Sequence, residues 1–123
     1  AETFEASRLN WDAIAQPQHR EWLRLYRQLL QLRRQHIVSR LSNKAEACAI
    51  KAHCNTHADH GLTAEWHFPN RSKLTLIANL GVSPLSGLTP PVSNMIYASE
   101  EVNTGTLQRG TLPPWSVAWF LEP

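Results

Sequence analysis

The sequence predicts a mainly β protein in which one long amphipathic α-helix precedes a small antiparallel sheet or β-sandwich. Three observations support this fold class. Near Ser42 the spacing of apolar residues changes from the three-and-four interval of a helix to the alternation of strands. Several short alternating segments follow, separated by stretches rich in proline, glycine and asparagine. With 123 residues, 42% of them hydrophobic, the chain has the length and apolar content of one globular unit.

The helix is predicted from Pro17 to Leu41. Its apolar residues recur on one face, at Trp22, Leu25, Leu29 and Leu32, with Tyr26, Leu30 and Ile37 widening the stripe. Pro17 suits a first helical turn, because the N–H that proline lacks would have no partner there. Arg33 and Arg34 lie near the C-terminal end, where the helix dipole favours positive charge. Residues 2–16 lack a sustained period, so we expect an ordered loop with a short turn of helix.

Strands are predicted at 45–54, 62–68, 73–80, 95–98 and 115–121. The turn residues from Pro69 to Ser72 join the second and third strands into a hairpin. Alternate residues are expected to share one face, namely Leu62, Ala64, Trp66 and Phe68, then Leu74, Leu76, Ala78 and Leu80, and finally Trp115, Val117, Trp119 and Leu121. A long loop over 81–94 and a turn over 103–105 complete the prediction.

Cys48 and Cys54 are predicted to be reduced thiols. In an extended strand their Cα atoms lie about 20 Å apart, at roughly 3.3 Å per residue, whereas a disulfide needs a separation under about 7 Å. Reduced cysteines favour a cytoplasmic location. The same strand is expected to place both cysteines on an inward face with Ile50 and Ala52.

Histidines follow these cysteines closely, at His53, His57, His60 and His67. Thiolate and imidazole are zinc ligands, but the spacing Cys54-x-x-His57-x-x-His60 matches no standard zinc pattern. We therefore interpret the histidines as solvent-facing loop residues and the cysteines as small core residues. No metal and no other cofactor is expected.

Charge is nearly balanced, with 12 basic and 10 acidic side chains and a net charge of +2. Seven of the basic residues cluster in the helix region, at Arg20, Arg24, Arg27, Arg33, Arg34, Arg40 and Lys44. Nucleic-acid binding usually needs a larger positive excess, so this stripe is interpreted as a solvated or docked helix face. The longest apolar run is far shorter than the roughly 18 residues of a membrane span. Because Ala1 is first and Met95 is the only methionine, we expect a processed chain or a piece of a longer protein.

The five tryptophans favour core packing over ligand binding, with one exception. Trp66, Trp115 and Trp119 alternate into strands. Trp11 lies outside the predicted strands, so it is the candidate carbohydrate-binding residue. A flat aromatic face complements the C–H face of a pyranose.

No catalytic residue is predicted. Residues 105–111 imitate a phosphate-binding loop but lack its lysine and run into Pro113-Pro114. Asp12 and Asp59 are the only aspartates, and neither stands in a pattern that marks a paired-carboxylate site.

Several segments resemble a known family. Residues 3–11 (Thr-Phe-Glu-Ala-Ser-Arg-Leu-Asn-Trp), His19 and the helical residues 25–34 look like the end of the catalytic barrel in the alpha-amylase family of glycoside hydrolases. Residues 74–80 (Leu-Thr-Leu-Ile-Ala-Asn-Leu) and 112–119 (Leu-Pro-Pro-Trp-Ser-Val-Ala-Trp) are similar to the C-terminal β-domain of its malto-oligosyltrehalose trehalohydrolase branch.

The resemblance implies that residues 1–41 are the end of a catalytic barrel, including its last helix, and that residues 42–123 are a C-terminal β-domain. The family's catalytic aspartate, glutamate and second aspartate come from barrel strands upstream of that helix, so the resemblance assigns no catalytic residue to this chain. The parent would release trehalose from malto-oligosyltrehalose by the retaining two-carboxylate route.

The implied partner is the barrel of the same parent chain, with a malto-oligosaccharide as a further ligand and no nucleic-acid or membrane partner. Without its barrel, the helix should expose an apolar patch and promote self-association. Three alternatives stay open: a related glucan branching enzyme, a stand-alone carbohydrate-binding module, and, with less support, a nucleic-acid-binding module that uses the arginine-rich helix.

Overall fold

The computed structural model describes residues 5–41 and 50–123, which form a long helix followed by one antiparallel sheet. The helices are α1 (Pro17–His36) and α2 (Thr104–Gln108). The strands are β1 (Lys51–His57), β2 (Gly61–His67), β3 (Lys73–Asn79), β4 (Asn94–Ala98) and β5 (Ser116–Glu122). The mainly β fold class with one long helix is confirmed, and the β part has the form of a sheet.

The five described strands pair in the order β1-β2-β3-β5-β4, and every pair is antiparallel. The predicted hairpin is β2 and β3, joined by a tight turn in which the Phe68 N–H donates to the Ser72 carbonyl. β4 pairs with β5 through an irregularity between Met95 and Tyr97. β3 therefore lies at the centre of the sheet, and β1 and β4 form its edges.

α1 begins at Pro17 as predicted and ends earlier than the predicted Leu41. The Ile37 N–H still donates to the Arg33 carbonyl, and a short 3-10 helix, Val38–Arg40, follows. A second 3-10 helix, Trp11–Ala15, precedes α1 and is capped by the Asn10 side chain. The expected short helical turn within residues 2–16 is thus confirmed, while residues 2–4 lie outside the described residues.

The central strands are buried on both faces, which corrects the expectation of one buried face per strand. In β3 the alternate residues Thr75, Ile77 and Asn79 are as buried as Leu74 and Ala78. The sheet therefore separates two hydrophobic cores. A strand with a core on each side cannot show a simple alternation of polar and apolar residues.

The first core lies between the sheet and the segment that leads from β3 to β5. Its buried members are Ile77, Leu85, Leu88, Val102, Leu107, Leu112, Ala118 and Phe120. Leu85 and Leu112 pair as an isolated antiparallel bridge, which joins the beginning of this segment to its end. The long loop predicted over 81–94 therefore contributes Leu85 and Leu88 to this core.

A helix occupies the position of the turn predicted over 103–105. α2 begins after Asn103, whose side chain accepts from the Thr106 N–H at 3.0 Å. The Thr106 hydroxyl oxygen in turn accepts from the Asn103 N–H at 3.1 Å. This reciprocal capping box satisfies two N–H groups that a helix start leaves open, which is why a helix forms where a turn was predicted.

The second core lies on the opposite face of the sheet. Phe68, Leu74 and Leu121 are buried there, with Ile37, Leu41, Ile50, Trp66, Ile96 and Trp119 packed against them. Arg40 ties the same region together, because its Nε donates to the Ser72 hydroxyl at 3.1 Å and its Nη1 to the His36 carbonyl at 2.6 Å. The C-terminal end of α1 is thereby fixed onto the sheet.

β1 differs from its prediction. Its described part, from Lys51, is an edge strand whose residues are exposed apart from the half-buried His57. Cys54 is a free, exposed cysteine, so its predicted inward position is wrong. An edge strand has neighbours on one side alone, which explains this exposure. Cys48 and the rest of the predicted strand before Ile50 lie outside the described residues.

Candidate functional site

Much of the apolar stripe of α1 is exposed. No residue of α1, all of which is described, is buried. The residues of the predicted apolar stripe differ in exposure. Leu25 and Leu32 are half-buried. The exposed residues are Trp22, Tyr26, Leu29 and Leu30. The Trp22 and Tyr26 rings contact each other at 6.3 Å between centroids. We call Trp22, Tyr26, Leu29 and Leu30 the open helix face.

Two cavities lie beside α1 in the described part of the chain. The first, of about 470 Å³, lies between the start of the helix and the loop after β4, and is lined in part by Trp22, Arg24 and Glu100. The second, of about 320 Å³, is apolar and lies between the helix and strands β4 and β5, with Leu29, Leu32 and Trp119 in its wall. These spaces mean that the helix packs loosely on the sheet except at its C-terminal end.

The basic stripe is partly structural. Arg40 bonds Ser72 as described above, and the Arg20 Nη2 donates to the Ala15 carbonyl at 2.8 Å. Arg24 and Arg33 line the two cavities. Lys44 lies outside the described residues. Arg20 and Arg40 therefore help to fix the two ends of the helix region, and Arg24 and Arg33 border the cavities.

The tryptophans occupy three environments. Trp66 and Trp119 stack in the second core at 5.6 Å with an interplanar angle of 18°, as their strand alternation predicted. Trp11 is 70% exposed on the 3-10 helix before α1, and Trp22 belongs to the open helix face. Trp115 is 66% exposed, which corrects its predicted core position. It precedes the first residue of β5, so strand alternation does not govern its side chain.

The histidines are found mainly in strands, so their interpretation as loop residues is corrected. His53 and His57 are on β1, His67 is on β2, and only His60 lies in a turn. The rings of His53 and His67 contact edge to face at 5.6 Å, and His57 Nε2 shares a hydrogen bond of 2.8 Å with the Thr63 hydroxyl. Within residues 5–41 and 50–123, no group of three or more histidine, cysteine, aspartate or glutamate side chains is placed to hold a metal ion.

The carboxylates near the sheet form ion pairs. Lys73 Nζ lies 3.2 Å from a Glu122 oxygen and 3.7 Å from a Glu65 oxygen. Asp12 and Asp59 are exposed, on the 3-10 helix before α1 and in the turn between β1 and β2. The stretch from Gly105 that imitates a phosphate loop is the capped helix α2 and its end. These placements assign the described carboxylates to the surface and to ion pairs.

Residues 51–119, from the first residue of β1 into β5, match the model of a protein family described as a domain of unknown function, DUF3459. The chain belongs to this family. DUF3459 domains are found at the C-termini of alpha-amylase family glycoside hydrolases, typically as non-catalytic accessory domains. The resemblance to this family of hydrolases is therefore confirmed at that level.

Comparisons of the chain with curated proteins and with solved structures gave no match. The match to DUF3459 covers the sheet and the α2 segment and leaves α1 outside it. Among the described residues, no helix is long and apolar enough to cross a membrane.

Proposed function

We propose that this chain is the C-terminal part of an alpha-amylase family glycoside hydrolase that releases trehalose from malto-oligosyltrehalose. In this proposal residues 1–41 end the catalytic barrel with its last helix, and residues 42–123 form the DUF3459 domain. The chain contributes structure, and the parent's reacting carboxylates lie upstream. A cytoplasmic location belongs to the same proposal, and the free thiol of Cys54 is consistent with it.

The observation that supports the assignment of α1 is the open helix face. An amphipathic helix normally buries its apolar stripe, because burial contributes roughly 25 cal/mol per Å² of apolar surface. Here Trp22 remains 55% exposed and Leu30 60% exposed, although the C-terminal end of the same helix is well packed. Outer helices of a barrel pack against its strands along one side. A barrel would therefore cover the surface that this chain leaves open.

The family match supports the assignment of the β part. The matched region includes both sides of the first core, which closes without help from α1. An accessory domain with its own core can follow a barrel without sharing that barrel's interior. The trehalohydrolase branch rests on the resemblance of residues 74–80 and 112–119.

The test is an assay of trehalose release from malto-oligosyltrehalose. The purified chain is expected to release none above the uncatalysed rate. The full-length protein encoded by the same gene is expected to release trehalose and to leave unmodified maltoheptaose largely intact. Trehalose release by the isolated chain contradicts the non-catalytic assignment, and a full-length protein that builds branches instead contradicts the trehalohydrolase branch.

A further inference from the structure

A second exposed apolar surface lies at the end of the sheet where β3 finishes and β5 begins. Leu80, Val82 and Trp115 are 54%, 82% and 66% exposed there. Backbone hydrogen bonds bring them together, because the Trp115 N–H donates to the Gly81 carbonyl at 3.2 Å. We call these three residues and Gly81 the Trp115 platform.

A buried asparagine holds the platform rigidly. Asn79 is 0% exposed, and its Nδ2 donates to the carbonyls of Ser83, Leu112 and Pro113 at 2.8, 3.1 and 2.9 Å. Its Oδ1 accepts from the Gly81 N–H at 3.0 Å. One side chain therefore clamps the loop after β3 to the loop before β5. A surface that is already ordered loses less conformational entropy when it binds a ligand.

Trp115 has a strained backbone conformation although its side chain is exposed. Its φ of 51° lies in the left-handed region, which costs an L-residue with a side chain roughly 1–2 kcal/mol. The exposed indole recovers little of that cost by packing. Strain of this kind persists where the surroundings over-determine it, and it clusters at ligand-binding sites.

His60 lies against Gly81 of the platform. A Cβ atom added to Gly81 would lie 2.6 Å from the His60 ring, so the half-buried ring lies directly against this glycine. The Leu80 N–H donates to the His60 carbonyl at 2.8 Å. Gly81 therefore links His60 and Trp115, since it lies against the His60 ring and its carbonyl accepts from the Trp115 N–H.

His60 also carries an unsatisfied polar atom. Its Nε2 is buried and has no hydrogen-bond partner among the described residues. An unpaired buried polar group costs about 1–3 kcal/mol. A hydrogen-bond partner for this nitrogen would remove that cost. Asp59 and Ser83, both exposed, add hydrogen-bonding groups in the adjoining loops.

We infer that the Trp115 platform binds a glucan chain, with one sugar ring against the Trp115 indole and its neighbour beside His60. An indole offers a flat apolar face to the C–H groups of a pyranose, and the polar groups around it can pair with the hydroxyls. The choice of an α-1,4-linked glucan rests on the proposed function. The evidence for the platform as a binding surface comes from the structure around Asn79, Gly81 and Trp115.

The experiment is a titration of the chain with maltoheptaose and, separately, with cellohexaose, followed by tryptophan fluorescence and by the NMR signals of the indole N–H groups. Trp115→Gly removes the ring and suits the left-handed backbone, so this variant should remain folded. Trp22→Ala is the matched control, because Trp22 is also an exposed tryptophan, at 55%, and lies on α1 outside the platform. Thermal unfolding of each variant accompanies the titration.

We expect maltoheptaose to shift the Trp115 indole signal in the unmodified chain. We expect Trp115→Gly to lower the association constant by about tenfold, consistent with the loss of one aromatic contact. Trp22→Ala should leave it unchanged. Gly81→Ala, which displaces the His60 ring, should weaken binding while Trp115 remains.

Three results overturn the inference. These are no binding of either glucan, binding that Trp22→Ala abolishes as strongly as Trp115→Gly, and a shift of indole signals other than that of Trp115. Binding of cellohexaose without maltoheptaose overturns the α-1,4 assignment. Trehalose release by the chain bears on the proposed function alone, so the two proposals fail by different measurements.

Discussion

The two halves of this molecule bury their apolar residues to very different extents. In the sheet, the central strands β3 and β5 have a hydrophobic core on each face. In α1, no residue is buried although the helix is 20 residues long and amphipathic. The sheet half therefore has a closed core of its own, whereas the helix leaves much of its apolar stripe exposed.

The contrast follows from what each half packs against. The segment between β3 and β5 folds back over one face of the sheet and places Leu85, Leu107 and Leu112 into a closed core. The helix approaches the other face mainly at its C-terminal end, through Ile37 and Leu41. Further toward its N-terminus, cavities separate it from the sheet. Stability should accordingly reside in the sheet, and surface properties should reside in the helix.

The sharpest test compares two leucines. Leu112 is 0% exposed in the first core, so Leu112→Ala should destabilise the chain by about 3–4 kcal/mol through lost burial and an added cavity. Leu30 on the open helix face should cost under about 0.5 kcal/mol when changed to alanine. Urea unfolding followed by circular dichroism measures both. Equal losses would mean that the helix is as tightly packed as the sheet, contrary to the comparison.

Removing the asparagine clamp should have the next largest effect. Asn79→Ala removes a donor to the Ser83 carbonyl, one of two donors to each of the Leu112 and Pro113 carbonyls, and the acceptor of the Gly81 N–H. These losses are expected to cost about 2–3 kcal/mol. Asn94→Ala, at an exposed position of β4, is the control and should change the free energy of unfolding by under about 0.5 kcal/mol. Thermal unfolding compares the two variants. A near-neutral Asn79→Ala would show that the loops hold together without this side chain.

A smaller effect is expected where the two halves meet. Arg40→Ala removes the hydrogen bonds to Ser72 and His36 and should lower stability by about 1 kcal/mol. The control Arg34→Ala changes an exposed arginine near the same helix end and should have little effect. Hydrogen exchange adds a local measure, since the amides of the last turn of α1 should lose protection in Arg40→Ala alone.

The open helix face itself should contribute almost nothing to the free energy of unfolding. The double variant Trp22→Gln and Leu30→Gln is expected to change stability by under about 0.5 kcal/mol. It should nevertheless reduce self-association of the chain, because it removes the exposed apolar patch. Sedimentation velocity over a range of concentrations measures this. Val92→Gln, on an exposed loop residue of the sheet half, should leave any association unchanged.

Local patterns in the sequence were sufficient to predict the helix and the central hairpin. Pro17, the three-and-four spacing and the arginines near the end of α1 act within a few residues of one another, so they can be read along the chain. The turn residues between β2 and β3 likewise act locally. Strand alternation predicted that Trp66 and Trp119 pack in the core, because both residues lie inside strands, and there their rings stack.

The incorrect predictions concern positions whose environment depends on distant partners. Cys54 was expected inside, but its strand is at the edge of the sheet, and strand order cannot be inferred from alternation. Trp115 was expected in the core, but it precedes the pair that joins Ser116 to Asn79. The one missed element that a local signal could have found is α2, through the capping pair Asn103 and Thr106.

Apolar spacing, proline positions and turn residues along the chain specified that a long helix is followed by short antiparallel strands, because these signals act over a few neighbouring residues. Long-range packing decided which faces of the sheet are covered and which tryptophans reach solvent. It also decided how Asn79 joins two loops more than thirty residues apart. Such contacts form between segments that the order of residues does not bring together, since each depends on the register and order of whole strands.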